Sequence, residues 1–206
     1  MARSRFPHLQ VAFSDPLMQR LAEQHGPAPF APHTFPERVP YTVLLSSIVG
    51  QQLSGRATDT IWQRLSSRFA LKPEVLCQAP AEDLRAVGLS GAKVRCVQDL
   101  SRFALEGGLL DIERLSDLAI IAHLTQLKGI GVWTAQVFLM FGPGRPDVWP
   151  VLDLGIRKGA QKLYDVRDRQ ALEALGEHFR PYRSHAAWYR GRCWSEGITR
   201  TLLARA

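Results

Sequence analysis

Apolar side chains recur at three- and four-residue spacing along most of this chain, and strict apolar–polar alternation is scarce. That period predicts helices packed by one face and no sheet. Ser14-Asp15-Pro16 offers a capping carboxylate and a first-turn proline for a helix over 17–24. Residues 41–49 are strongly apolar, which predicts a buried helix. Ser54 is read as the cap of the next one, with Ile61, Leu65 and Phe69 at helical spacing. Ala79-Pro80 opens a short helix that stops at Gly88, and Ser90 starts another. There Val94, Val97 and Leu100 point inward, and Gly107-Gly108 ends the run. Helices are further expected over 116–124, on either side of 128–132, over 154–164 and 168–179, and from Pro181 onward. Between 26 and 40, five prolines exclude a regular element, and Phe30 and Phe35 offer anchors for an ordered connector. The expected fold class is all-α.

Composition narrows the class further. A chain of 206 residues, 46% hydrophobic, fits one compact unit or two small lobes and excludes a disordered protein. The division expected is a lobe over 42–150 and a second built from 1–41 with 154–206. Lys and Arg number 26 against 19 acids, a net charge of +7, which favours polyanionic partners through salt-sensitive phosphate attraction. No run approaches the roughly 18 apolar residues of a membrane span, and no signal peptide is read at the start. Cys77, Cys96 and Cys193 are odd in number and widely spaced, so no disulfide framework is suggested. The expectation is an intracellular monomer with no membrane partner, cytoplasmic or nucleoid in a bacterium and nuclear in a eukaryote. His123, His178 and His185 have no paired ligand spacing, so no catalytic metal is expected.

The most informative stretch is Leu127-Lys128-Gly129-Ile130-Gly131-Val132-Trp133-Thr134-Ala135. Two glycines two apart, between apolar helical segments, allow a tight turn and close approach of a ligand. N–H groups at the start of the second helix, with the helix dipole behind them, suit an anion. A phosphate held there positions a protein on a duplex without reading a base. Lys128 would add charge, and Thr134 a hydroxyl donor.

Leu-x-Gly-Ile-Gly-x-Trp-Thr-Ala, followed eighteen residues after Gly131 by Trp149-Pro150-Val151-Leu152-Asp153, resembles the helix-hairpin-helix (HhH-GPD) DNA glycosylase superfamily. Within it the likeness is to the 3-methyladenine DNA glycosylase II branch. Ile48-Val49-Gly50-Gln51-Gln52-Leu53-Ser54, residues 84–93 and Pro181-Tyr182-Arg183-Ser184 are similar to that branch as well. The resemblance spans about 40–195, places the helix-hairpin-helix at 118–142, and implies a two-lobed helical fold without the β-rich N-terminal lobe of some relatives. It makes Asp153 the catalytic carboxylate, with Leu152 where some relatives carry a second Asp. An Asp before an apolar helical stretch is also a good N-cap, and the two roles are compatible.

The chemistry explains the choice of residue. As a base leaves C1′ the sugar gains oxocarbenium character, which an ionised Asp stabilises while it orients or deprotonates water. Where relatives that also nick the strand place a Schiff-base Lys, this chain has Trp133, which cannot form one. The activity that the resemblance implies is release of alkylated purines of the 3-methyladenine and 7-methylguanine type from double-stranded DNA, in base excision repair, by base flipping, and Trp133 makes it monofunctional. Trp133 and Val137 are assigned to the base pocket, although relatives often have an aromatic residue at the position of Val137. Gly191 stands where a second pocket Trp is expected.

Gln52 or Leu53 is the implied wedge filling the gap, the two not being separated, and Ser54 joins them against DNA. Arg190, Arg192 and Arg200 are candidates to track the DNA backbone, or simply solvated. Carbonyls of Thr125, Leu127 and Ile130 are candidates for a structural monovalent cation. No other cofactor is expected, since three cysteines cannot supply a four-Cys iron–sulfur cluster. Two alternatives stay open, a glycosylase for deaminated or oxidised bases and a non-catalytic DNA-binding module.

Overall fold

The computed structural model describes residues 13–28, 39–53 and 55–195, the side chains of 193–195 excepted. Ser54, Phe30, Phe35 and Arg200 lie outside the described residues. Within them the secondary structure is helical and no strand occurs. The described residues fall into two compact units, one within 37–143 and one within 1–36 and 144–206.

The 37–143 unit holds α2 (Pro40–Gly50), α3 (Gly55–Arg68), α4 (Pro73–Gln78), α5 (Ala81–Ala86), α6 (Gly91–Leu105), α7 (Asp117–Leu124) and α8 (Val132–Phe141). Its centre is α2, whose Leu44, Leu45, Ile48 and Val49 are fully buried. One polar pair sits in this core: the Tyr41 hydroxyl and Ser101 Oγ are 2.7 Å apart, and Ser101 Oγ also donates to the Val97 carbonyl. Burial pushes the Tyr41 phenol up to about 12. Two helix starts read from sequence are capped by serine: Ser90 accepts from Lys93 N and Ser116 from Ala119 N. Helix α4 is a finding beyond the sequence reading. At six residues it is too short for a periodic signal, and Pro73 at its start reads equally well as a turn.

The other unit holds α1 (Pro16–His25), α9 (Leu154–Tyr164), α10 (Arg169–Glu177) and α11 (Arg183–Ser195). Asp15, Asp153 and Asp168 cap α1, α9 and α10 through their own side chains. Helices α9 and α11 approach so closely that a Cβ on Gly159 would lie 2.6 Å from the Arg190 carbonyl oxygen. The second lobe boundary differs from the sequence reading: residues 144–150 belong with α10 and α11, not with the hairpin. The reason is a set of polar ties. Arg183 grips both Asp147 carboxylate oxygens, at 2.7 and 3.1 Å, and Trp149 Nε1 donates to the Leu172 carbonyl.

Candidate active site

The hairpin between α7 and α8 is built by three features. Helix α7 ends at Thr125, Ile130 N donates back to the Leu127 carbonyl at 3.1 Å, and Ile130 is buried as an anchor. Gly129 takes φ +90, and a Cβ there would sit 2.9 Å from Cys96 Sγ. Conformation and space therefore both demand glycine at 129. Gly131 is different. Its φ is −93, ordinary for any residue, and a Cβ would meet nothing within 4 Å. The fold does not need glycine at 131; open space lies outside it.

Gly131 caps α8 without any side-chain hydrogen bond, and no carbonyl within the helix can serve the first N–H groups of α8. Lys128, Gly131 and Val132 are exposed around this end. Thr134 turns the other way. Its side chain is buried and its hydroxyl oxygen accepts from Gln51 Nε2 at 3.0 Å, so only its backbone N–H faces the helix start. The hydroxyl-donor role expected of it is corrected, because residue 134 falls on the inner face of α8. Trp133 and Val137, one turn apart on α8, are half-buried.

The turn after α2 carries the candidate wedge. Gln51 ends the helix, Gln52 takes φ +58, and Leu53 N donates to the Gly50 carbonyl. Gln52 and Leu53 are both exposed, Leu53 by 39%. The inward residue is their neighbour Gln51, whose Nε2 donates to the Gly129 carbonyl as well as to Thr134.

In the other unit, half-buried Asp153 occupies the N-terminus of α9, where Oδ1 accepts from Ile156 N at 2.9 Å. That bond fixes the rotamer, and the helix dipole favours negative charge at this end. The loop leading to Asp153 is held from both sides. Ser184 Oγ accepts from Val148 N at 2.9 Å and donates to the Arg145 carbonyl at 2.6 Å. The Trp149 ring lies against Gly176, where a Cβ would be 2.6 Å from its Nε1. A groove of about 250 Å³ on this unit is lined by Val151, Leu152, Arg157, Arg167, Asp168 and Arg169 among others, with Arg167 paired to Asp165 and Arg169 to Glu173.

The sequence pattern of the HhH-GPD superfamily of base excision DNA repair proteins matches residues 45–182. This chain belongs to that superfamily. It is 32% identical over 164 residues to DNA-3-methyladenine glycosylase 1 of Schizosaccharomyces pombe, covering 74% of this chain and 72% of the relative. The solved structure of an S. pombe 3-methyladenine DNA glycosylase in complex with abasic DNA superposes with a TM-score of 0.76 at 30% identity, covering 87% of this chain and 91% of that one. A DNA-3-methyladenine glycosidase from Bacillus halodurans gives 0.66 at 30% identity, with 92% and 94% covered.

In this HhH-GPD chain, sequence reasoning missed several residues that hold the site. Arg183 and Ser184 belong to the Pro-Tyr-Arg-Ser motif, but nothing in the sequence points to Asp147 and residues 145–148 as their partners. Arg190 is neither a DNA-tracking nor a solvated arginine. It is fully buried, with its guanidinium 4.5–4.8 Å from the ring centroids of Phe179, Tyr164 and Trp149. Arg192, by contrast, is exposed, over the Trp188 ring. Gln51 and Lys93 were legible only as parts of family-like segments.

Proposed function

We propose that this chain is a monofunctional DNA glycosylase that hydrolyses the N-glycosidic bond of alkylated purines in double-stranded DNA and leaves an abasic site. The observation that carries the reading is Asp153 fixed at the N-terminus of α9, directly after the braced Trp149-Pro150 loop. In this reading the flipped nucleotide brings C1′ to the carboxylate, which stabilises the oxocarbenium-like sugar and orients the attacking water. An alkylated purine already carries positive charge and departs with little acid help, so the burden falls on Asp153. Half-buried Trp133 offers its π face to an electron-poor base beside Val137.

Backbone N–H groups at the start of α8, with Lys128 beside them, take a phosphate, while Leu53 and Gln52 enter the gap left by the extruded nucleotide. A monovalent cation suits the hairpin carbonyls of Thr125, Leu127 and Ile130. The donors are neutral oxygens; Leu127 O spends one lone pair on Ile130 N, and Thr125 Oγ1 turns back to Ile121. Such an ion would add positive charge next to the phosphate.

The test uses duplexes carrying a single defined lesion, with abasic sites scored by alkali. Release of 3-methyladenine or 7-methylguanine is expected, and cleavage confined to hypoxanthine, uracil or 8-oxoguanine would overturn the substrate class. Asp153→Asn keeps the helix cap and removes the charge, so the melting temperature and duplex affinity should hold while single-turnover release falls by about a hundredfold or more. A variant as fast as the parent would remove Asp153 from the chemistry. Borohydride should trap no covalent adduct, since residue 133 is Trp.

A further inference from the structure

Lys93 sits in the wrong place for its own helix. It is the third residue of α6 after the Ser90 cap, where a Glu would complete a capping box and suit the dipole. An ammonium there opposes the field of α6. Residues that break a local rule usually answer to something elsewhere in the fold, and here the answer is geometric. Lys93 Nζ reaches across to the end of α2 and donates to the Val49 carbonyl at 2.7 Å and the Gln51 carbonyl at 2.8 Å. These are among the carbonyls that a helix C-terminus leaves unmet, at its negative end. Partial burial lowers the lysine's pKa, so the contact is kept despite a desolvation cost.

Gln51 extends the chain of contacts. Its carbonyl is held by Lys93, while its side-chain amide donates to the Gly129 carbonyl and to Thr134 Oγ1, both at 3.0 Å. Four residues from three separate stretches are thus tied across the turn that follows α2. That turn contains Gln52 at φ +58, a conformation that side-chain-bearing residues rarely adopt. A turn so placed needs outside support to hold one shape, and it ends in the exposed apolar Leu53.

We propose that Lys93 and Gln51 are positioning residues for base extrusion: they lock the turn bearing Gln52 and Leu53 to the two-glycine hairpin. Grip on the backbone and insertion into the stack then occur at one fixed spacing along the duplex. This rests on reading the 50–53 turn as the inserted element. Insertion replaces stacking lost when the target base leaves, so a loosened turn slows extrusion without weakening the phosphate grip.

The experiment compares Lys93→Met, Gln51→Met, their double variant and Leu53→Ala. Each is assayed on one alkylated base placed opposite its normal partner or opposite an abasic position, where extrusion costs less. A 2-aminopurine beside the lesion reports unstacking directly. For both Met variants the expected results are undamaged-duplex affinity within about twofold, a reduced 2-aminopurine rise, and single-turnover release about tenfold slower on the paired lesion. The loss should shrink to about threefold or less opposite the abasic position. The double variant should be no slower than the worse single one, because both act on the same turn.

Equal slowing on both substrates, or none, overturns the proposal, because a merely structural role moves both rates alike. Should Lys93→Met fail to fold, as judged by its melting transition, Gln51→Met decides by the same criteria. Leu53→Ala separates the underlying reading. If it slows the paired lesion while the Met variants do not, the brace falls and insertion stands. If it changes nothing, the turn is not the inserted element and the proposal falls with that reading.

Discussion

At the scale of single residues, the two hairpin glycines look alike in sequence and differ in cause. Gly129 is required by the fold, through a positive φ and the Cys96 thiol behind it. Gly131 is tolerated but not required by the fold, and in the proposed reading its open side is where the phosphate approaches. Gly129→Ala should therefore cost about 1–2 kcal/mol or more of stability in denaturant unfolding. Gly131→Ala should leave the melting temperature in place and weaken binding to damaged and undamaged duplexes alike. A lesion-selective loss in the second variant, or a stability loss larger than in the first, would contradict this division. Burial raises the Cys96 thiol to about 11, which fits a packing role against the hairpin.

At the scale of elements, the position of Asp153 is the position of α9, and α9 is set by α11. Gly159 permits the close crossing, and Arg190 fills the space beside it. A buried guanidinium is costly unless compensated. Three aromatic faces surround this one, and Tyr164, one of them, donates its hydroxyl to Asp15 at 2.7 Å. Burial drives the Tyr164 phenol up, which keeps it a donor. Lysine keeps the charge but loses the planar face that stacks. Arg190→Lys is thus expected to lower stability by about 2 kcal/mol or more, read as a shifted denaturation midpoint at unchanged slope. An unshifted midpoint would mean that the cage holds nothing.

At the scale of the whole molecule, acid stability has an identifiable contributor. His185, on α11, is half-buried with the Tyr182 ring edge-on beside it, and desolvation lowers its pKa to about 4. Above the ordinary histidine value of about 6.5 neither the folded nor the unfolded chain carries this proton, and pH has no leverage through it. Between about 6.5 and 4 the unfolded chain takes up a proton that the folded one refuses, so stability falls as pH falls. The loss is complete below about 4 and is on the order of 3 kcal/mol. Melting temperatures from pH 7 to 4.5 should decline, and His185→Gln should flatten that decline. A parallel curve for the variant would assign acid sensitivity to other groups.

Local information settled much of this protein before any coordinates. Helix positions followed from apolar period and from the caps or starts read at Asp15, Ser90 and Asp153, because a cap and its helix lie within four residues of each other. The Gly-Ile-Gly hairpin, Asp153 and Trp133 were legible for the same reason: each signal is contiguous, and the family likeness rests on contiguous motifs. What stayed hidden joins residues far apart in the chain. Examples are Lys93 on the end of α2, Gln51 on Gly129, Asp147 under Arg183, and Arg190 among three rings. The inward turn of Thr134 and the placement of residues 144–150 belong to the same group. One-dimensional spacing records what a residue is and which local element it starts or ends. Which distant carbonyl, carboxylate or ring it meets depends on how helices pack, and packing is decided by the fold as a whole.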